Sequence, residues 1–357
     1  MTHEPGPTVI FDLGPPRLAE LGTLSSSFPG GLIMDAVGDG TRLVVQDRES
    51  SAVIDAATGE LIELRQAGEA NPDFLPFMHP VSSANGLYTA GLDASGESRL
   101  WSNLDGREVF AAPDEWQIRG VSEDGSKVVL FGPSARVVSV DGTMIAELEL
   151  DGRDALGGGI AGGVWRAVFS PDNRYVVTVK GEAIQIWEAS TGTQVGMIDD
   201  FDLGGVSALW TTDGSLLVVG GFDGTINIFD VARLLGGASD REALVRRIAA
   251  HDTFMLLVDI KDGSRILSIA REEPARAWDL ESGQMVGEFG TSIEGEFVAA
   301  SFHPTEPRLY AEVGADQIGI FTLDADELLE IARSRLSRGL TEEECQLYLR
   351  RSCAADA

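Results

Sequence analysis

The chain has 357 residues and a formal net charge of −30, from 57 acidic against 27 basic side chains. A surface this acidic repels phosphate backbones and anionic lipid, whose binding draws on cationic contacts and counterion release, and this argues against nucleic-acid or membrane binding by the chain alone. No stretch approaches the ~18 unbroken apolar residues of a membrane span, and the opening MTHEPGPTVIFDLG holds no apolar run long enough for a signal sequence, so a cytoplasmic location is expected. The two cysteines, Cys345 and Cys353, both lie near the end of the chain, which leaves no disulfide framework and fits a reducing compartment.

In chain order, Thr8 to Leu13 (TVIFDL) and Arg17 to Leu21 (RLAEL) read as strands with no complete sheet around them. A repeat then begins, each unit made of short apolar and β-branched runs split by turn residues. The first runs from Leu32 to about Arg65 (LIMDAV, RLVVQ, SAVID, ELIEL), and others follow at about 74–111, 117–150 and 164–198. The fourth is the clearest: VWRAVF, YVVTV, AIQIW and QVGMI are separated by SPDN, KGE and ASTG. Before it, the Gly-rich LGGGIAGG (156–163) reads as an inter-unit loop, because no Lys-Ser or Lys-Thr follows and the next element is a strand. A fifth unit starts at Val206 and is interrupted at 231–252 by an insertion, VARLLGGASDREALVRRIAAHD. Ser239 or Asp240 could cap a short helix there, although a long outer strand, LVRRIAAH, is favoured. A sixth unit starts near Met255, and the last, FVAASF, RLYAEV and QIGIFTL, has three strands before the pattern turns helical.

Two markers recur in phase along these units. Near the end of each third strand stand Ile54-Asp55, Trp101-Ser102, Val138-Ser139, Trp187-Glu188, Phe229-Asp230, Trp278-Asp279 and Phe321-Thr322. Between first and second strands stand Asp39-Gly40, Asn85-Gly86, Asp124-Gly125, Asp172-Asn173, Asp213-Gly214 and Asp262-Gly263, the turn residues that accept positive φ most readily. A four-stranded meander has two apolar faces and two open edges, so it is not stable alone and several must stack. The pattern resembles the WD-repeat β-propeller family in a divergent form, over about Val9 to Leu323. The resemblance implies an all-β, seven-bladed propeller over residues 8–323, with four-stranded blades. The three-stranded last unit and the spare strands at the start imply a ring closed by pairing the two chain ends. Trp278-Asp279 with His251 upstream is the fullest match, with Glu272 standing where the family has an Asp; Gly181 takes that place before Trp187.

The segment 324–357 differs in kind, and two helices are expected there. DADELLEIARSRLSRG has Leu328, Ile331, Ala332 and Arg335 at helical spacing with Gly339 as a stop, and a second helix starts at Thr341 with Glu344 completing a capping box. ARSRLSRGLTEEECQLYL resembles a tail that closes many bacterial WD-repeat chains, including those joined to signalling modules. It is read first as a cap under the ring and second as a partner-docking element.

Catalytic chemistry is thin. His79 and His303 each precede a proline in the turn after a first strand, as Ser170 does, and His251 reads as structural. Zinc spacing and a G-x-S-x-G element are absent, so no catalytic residue, metal site or cofactor is assigned. Trp116 and Trp165 stand just before first strands, at the channel rim, with Arg119, Arg166 and Phe254 near the same level; aromatic and Arg side chains are common interface anchors, and these five are the candidate protein-binding residues. The expected function is a monomeric, non-catalytic protein-interaction platform, a scaffold or regulatory module of a bacterial signalling system, with protein partners. The alternative is a propeller hydrolase or oxidoreductase with a metal-dependent site at the channel mouth.

Overall fold

Alternating apolar residues with an Asx-Gly turn every few positions fold as antiparallel meanders, and the computed structural model contains seven four-stranded sheets of this kind among its described residues. Those residues are 20–25, 33–37, 40–46, 50–66, 81–83, 85–93, 97–149, 166–180, 183–198, 205–253, 255–261, 264–270, 272–289, 299–314, 317–324, 326–327 and 330. Blade 1 comprises Ile33–Val37, Arg42–Gln46, Ser50–Asp55 and Leu61–Gln66, from the channel outward. The inner strands of blades 2 to 7 are Val81–Ser82, Gln117–Val121, Arg166–Phe169, Gly205–Trp210, Met255–Lys261 and Ala300–Phe302. The chain is thus a seven-bladed β-propeller, as expected.

Closure comes from the chain ends. Glu20–Ser25 forms the outer strand of blade 7, antiparallel to Gln317–Thr322, with Gly22 opposite Ile320 and Leu24 opposite Ile318. The pairing strand lies slightly later than RLAEL predicts, and TVIFDL falls outside the described residues. The blade that sequence leaves one strand short is completed from the other end of the chain, which pairs an edge that would otherwise be open.

The apolar core sits in the seams between blades. Met34, Leu43 and Ile54 of blade 1 pack with Ala299, Tyr310 and Ile318 of blade 7, and Val177 and Ile186 of blade 4 pack with Ala208, Leu217 and Phe229 of blade 5. Each fully buried aliphatic side chain contributes about 1.5–3 kcal/mol, so every blade draws most of its stability from its neighbours. Polar stitches cross the same seams. The Ala36 amide donates to Ser301 Oγ (3.0 Å), the Leu257 amide to Ser207 Oγ (2.9 Å) and the Ile118 amide to Ser98 Oγ (3.0 Å). Ile118 and Leu257 each adjoin a register shift, where a serine of the preceding blade serves the amide.

The Asx-Gly turns carry a further partner. In four blades a hydroxyl upstream donates to the Asx side chain and accepts the amide of the residue that opens the second strand. Ser122 Oγ lies 2.7 Å from Asp124 Oδ1 and 2.9 Å from the Lys127 amide, and Ser83, Ser170 and Thr211 repeat the arrangement. In blade 7 His303 takes this place, its Nδ1 accepting the Glu306 amide at 2.9 Å, in keeping with its reading as a turn variant.

Blade 6 holds a buried polar chain that the sequence reading places one residue away. His251 Nε2 meets Ser268 Oγ at 2.9 Å, Trp278 Nε1 donates to the same hydroxyl at 2.8 Å, and His251 Nδ1 meets Glu273 Oε2 at 3.0 Å. Glu273, not Glu272, supplies the carboxylate. Glu272 sits exposed at φ 63° in the turn, and the longer glutamate side chain reaches the ring from the next position. Arg276 closes the group with ion pairs to Glu273 (3.0 Å) and Glu288 (2.8 Å). In blade 4, where Gly181 offers no carboxylate, Trp187 Nε1 still donates to Thr178 Oγ1 at 2.9 Å.

The insertion resolves both ways at once. Val231–Leu235 and Asp240–Ala243 are short helices, the second opened by Ser239 with Glu242 folded back on it, and Leu244–Ala249 is the outer strand of blade 5. Asp324 Oδ1 accepts the Glu327 amide at 2.8 Å where the expected first tail helix starts; the remainder of the two-helix expectation lies almost wholly outside the described residues.

Two predictions follow from this packing. A Cβ at Gly120 would lie 2.5 Å from the Ala167 carbonyl oxygen across the blade 3–4 seam, so Gly120→Val is expected to destabilise by about 1–3 kcal/mol in denaturant melts, and an unchanged midpoint would contradict that close approach. Burial, more than the opposing Glu273 bond, lowers the His251 pKa, so the folded ring holds it neutral. That contribution is complete above the unfolded value of about 6.5 and is lost as pH falls below it. His251→Gln is therefore less stable at neutral pH, with a gap to wild type that narrows towards pH ~5; a gap independent of pH would count against a neutral buried ring.

Candidate functional site

Of the five candidate binding residues, Trp116, Arg119 and Arg166 lie among the described residues, and the three have different surroundings. Trp116 lies just before the inner strand of blade 3, on the face that carries the turns between second and third strands. Its ring packs over Gly132, where a Cβ would come within 2.9 Å of it, and the Arg136 guanidinium sits 4.6 Å from its centroid. Arg136 in turn reaches Glu147 at 3.8 Å, so an aromatic, a cation and an anion run in a row across the blade. Such a stack holds the indole flat without removing it from solvent.

Arg119 is only 4% exposed and donates to Gln117 Oε1 at 2.6 Å. It occupies the register shift between Ile118 and Gly120, and burial lowers its pKa to about 10. Arg119 therefore lies beneath the surface rather than on the rim. Arg166, at the start of the blade 4 inner strand, faces the channel. Trp165 and Phe254 lie outside the described residues.

Inside the ring a cavity of about 140 Å³ is walled by the inner strands of five consecutive blades. Asp35 comes from blade 1, Ser82 from blade 2, Val121 from blade 3, Arg166 and Phe169 from blade 4, and Trp210 from blade 5. The Ser82 hydroxyl bonds the Asp35 carboxylate, while Asp35 Oδ2 is buried with no hydrogen-bond partner. Burial raises the Asp35 pKa against the opposing pull of Ser82 and Arg166; burial likewise lowers the Arg166 pKa, and the Asp35 charge pushes it back. The two charges act on one another without closing to an ion pair. The rest of the wall is mixed: Ala167, Val168, Pro171 and Leu209 are apolar, while Ser83, Thr212 and the Glu123 carboxylate are polar.

The sequence reading missed Asp35, and a signal was there. Within LIMDAV the aspartate stands in the middle of an apolar inner strand, where a carboxylate is costly without a purpose. Ser82 and Thr212 look like ordinary turn-flanking residues and carry no such signal. Among the described residues no group of three or more His, Cys, Asp or Glu converges as a metal site would need, and no helix is long and apolar enough to cross a membrane.

Because burial is the largest influence on Asp35, its ionised form opposes folding at neutral pH, and this penalty is relieved as pH falls through its raised pKa. Asp35→Asn is expected to raise the melting temperature at pH ~7, with the gain shrinking towards pH ~4. A lowered melting temperature at neutral pH would show that Ser82 and Arg166 more than offset the burial.

Comparison with known proteins agrees with the architecture. Residues 199–230, which run from before the blade 5 inner strand to the end of its third, match the family "WD domain, G-beta repeat". The chain is 26% identical over 148 residues to WD repeat-containing protein 18 from Danio rerio, covering 40% of this chain and 33% of that protein. It is 22% identical over 231 residues to actin-interacting protein 1 from Drosophila melanogaster, covering 61% of this chain and 36% of that one. The chain thus spans about a third of the length of the curated relatives it matches. The repeat match and the ring of seven blades together support a WD-repeat β-propeller.

Proposed function

We propose that the chain is a non-catalytic protein-interaction platform, the scaffold or regulatory module of a bacterial signalling system, and that it meets its partner on the face carrying Trp116. The observation that carries this reading is the Trp116–Arg136 stack, a large flat aromatic fixed in place beside a charged group on a rigid blade. Preordered aromatic and Arg side chains lose little entropy on binding and dominate interface energetics. Trp165 and Phe254 stand just before the inner strands of blades 4 and 6 and belong to the same proposed anchor set, whereas Arg119 is buried. The relatives add support: one is by its name a WD-repeat protein and the other an actin-interacting protein. The signalling assignment rests on the tail phrase ARSRLSRGLTEEECQLYL.

A charge of −30 suits a basic partner surface, with association that slows as salt screens the attraction. Affinity capture from the native cell, with Trp116→Ala and Arg136→Gln beside wild type, tests the reading. Loss of a central aromatic anchor is expected to cut partner recovery at least ~10-fold while the melting curve stays cooperative. Equal recovery by both folded variants would remove Trp116 from the interface.

A further inference from the structure

We infer that the channel cavity binds a small zwitterionic amino acid, its ammonium group held by Asp35 and its carboxylate by Arg166. The inference stands apart from the partner-binding reading and uses a different part of the ring.

Opposite charges share one cavity, Asp35 and Arg166 on separate blades, with the Glu123 carboxylate also in the lining. Asp35 Oδ2 is a buried acceptor with no partner, and the Arg166 guanidinium brings five N–H donors to the same cavity with no hydrogen bond to any described residue. Left to themselves, two such groups on facing walls lower their energy by closing into a direct pair. Here they act on each other through space but stay apart, one on the blade 1 inner strand and one on blade 4, each fixed by its own sheet. A molecule carrying both charges at its two ends satisfies both walls at once; a simple anion or cation satisfies one and leaves the other buried and unmatched.

Size and lining narrow the class. About 140 Å³ is close to the ~150 Å³ of a protein cavity that holds benzene, so the occupant has roughly five to eight non-hydrogen atoms. Glycine, alanine, serine and 4-aminobutyrate fall within that range. Val121, Phe169 and Leu209 give part of the wall an apolar surface that suits a short hydrocarbon stem, beside the polar Ser83, Glu123 and Thr212. The Trp210 indole N–H is already engaged by the Val168 carbonyl oxygen at 3.3 Å, so that wall is shaped by the protein's own bond. The raised pKa of Asp35 and the lowered pKa of Arg166 both record the cost of burying a charge, which opposite charges on a ligand would offset.

Isothermal titration calorimetry and thermal-shift assays on the full chain test this with the four amino acids named above, and with acetate, methylammonium and chloride as single-charge probes. At least one amino acid is expected to bind with Kd below ~1 mM, and acetate and methylammonium at least ~10-fold more weakly. Asp35→Asn and Arg166→Gln should each weaken the amino acid at least ~10-fold, Asp35→Asn sparing acetate and Arg166→Gln sparing methylammonium. No heat and no shift with any amino acid at ~10 mM would overturn the inference. So would a response to chloride or acetate equal to the best amino acid, which would mark an adventitious ion only. Should either variant fail to fold, the comparison of zwitterion with single-charge probes on the wild-type chain decides the matter alone.

Discussion

The structure depends on the inability of one four-stranded sheet to bury itself. Each meander presents two apolar faces, and the only surfaces that cover them are the faces of the sheets on either side. The seam clusters show this directly, since Leu43, Val177, Leu217 and Ile266 reach full burial only with residues of a neighbouring blade. Circular stacking is the arrangement in which no sheet is left at an end. The rest follows from that requirement. Inner strands crowd the axis and bring backbones as close as Gly120 and Ala167, register shifts bend those strands, and serines of adjoining blades take up the amides that the shifts release.

The same crowding creates the channel and decides what it can hold. Inner strands from five blades meet around one cavity, so residues far apart in sequence, Asp35 and Arg166, share a small volume. A charge there is desolvated by the fold rather than by a partner, and Asp35 and Arg166, carried by separate sheets, act on one another without forming an ion pair. The outer face obeys different rules. Trp116 is steadied by stacking on Arg136 and remains within reach of solvent, the condition for meeting another protein. The proposed partner face around Trp116 and the proposed pocket around Asp35 thus use different side chains, with Arg166 belonging to the pocket.

Much of the architecture was legible because it is written as period. Alternation gave the strands, Asp124-Gly125 and its counterparts gave the turns, and the three-stranded last unit beside spare amino-terminal strands gave the closure. What was missed lies in side-chain reach and in geometry across blades. Glu273 replaces the expected Glu272 because a glutamate one residue further on still reaches His251, and counting positions cannot show that. Arg119 looked like a rim residue, but the register shift at Ile118 and Gly120 leaves it buried, and such a shift has no mark in the sequence beyond the glycine itself. Asp35 could have been found by its place in an apolar strand. Its proximity to Arg166 could not, since only the curvature of the ring brings blades 1 and 4 to one cavity.

Closure by the two chain ends is the claim on which the ring rests, and hydrogen exchange at Gln317–Thr322 tests it most directly. In the chain of 357 residues the outward-pointing alternate amides of that strand donate to Glu20–Ser25 and should exchange as slowly as those of the inner strands. In a chain lacking residues 1–25 those same amides should lose their protection, with the loss spreading to the blade 7–1 seam around Ala36 and Ser301. Protection unchanged by the truncation would contradict the account.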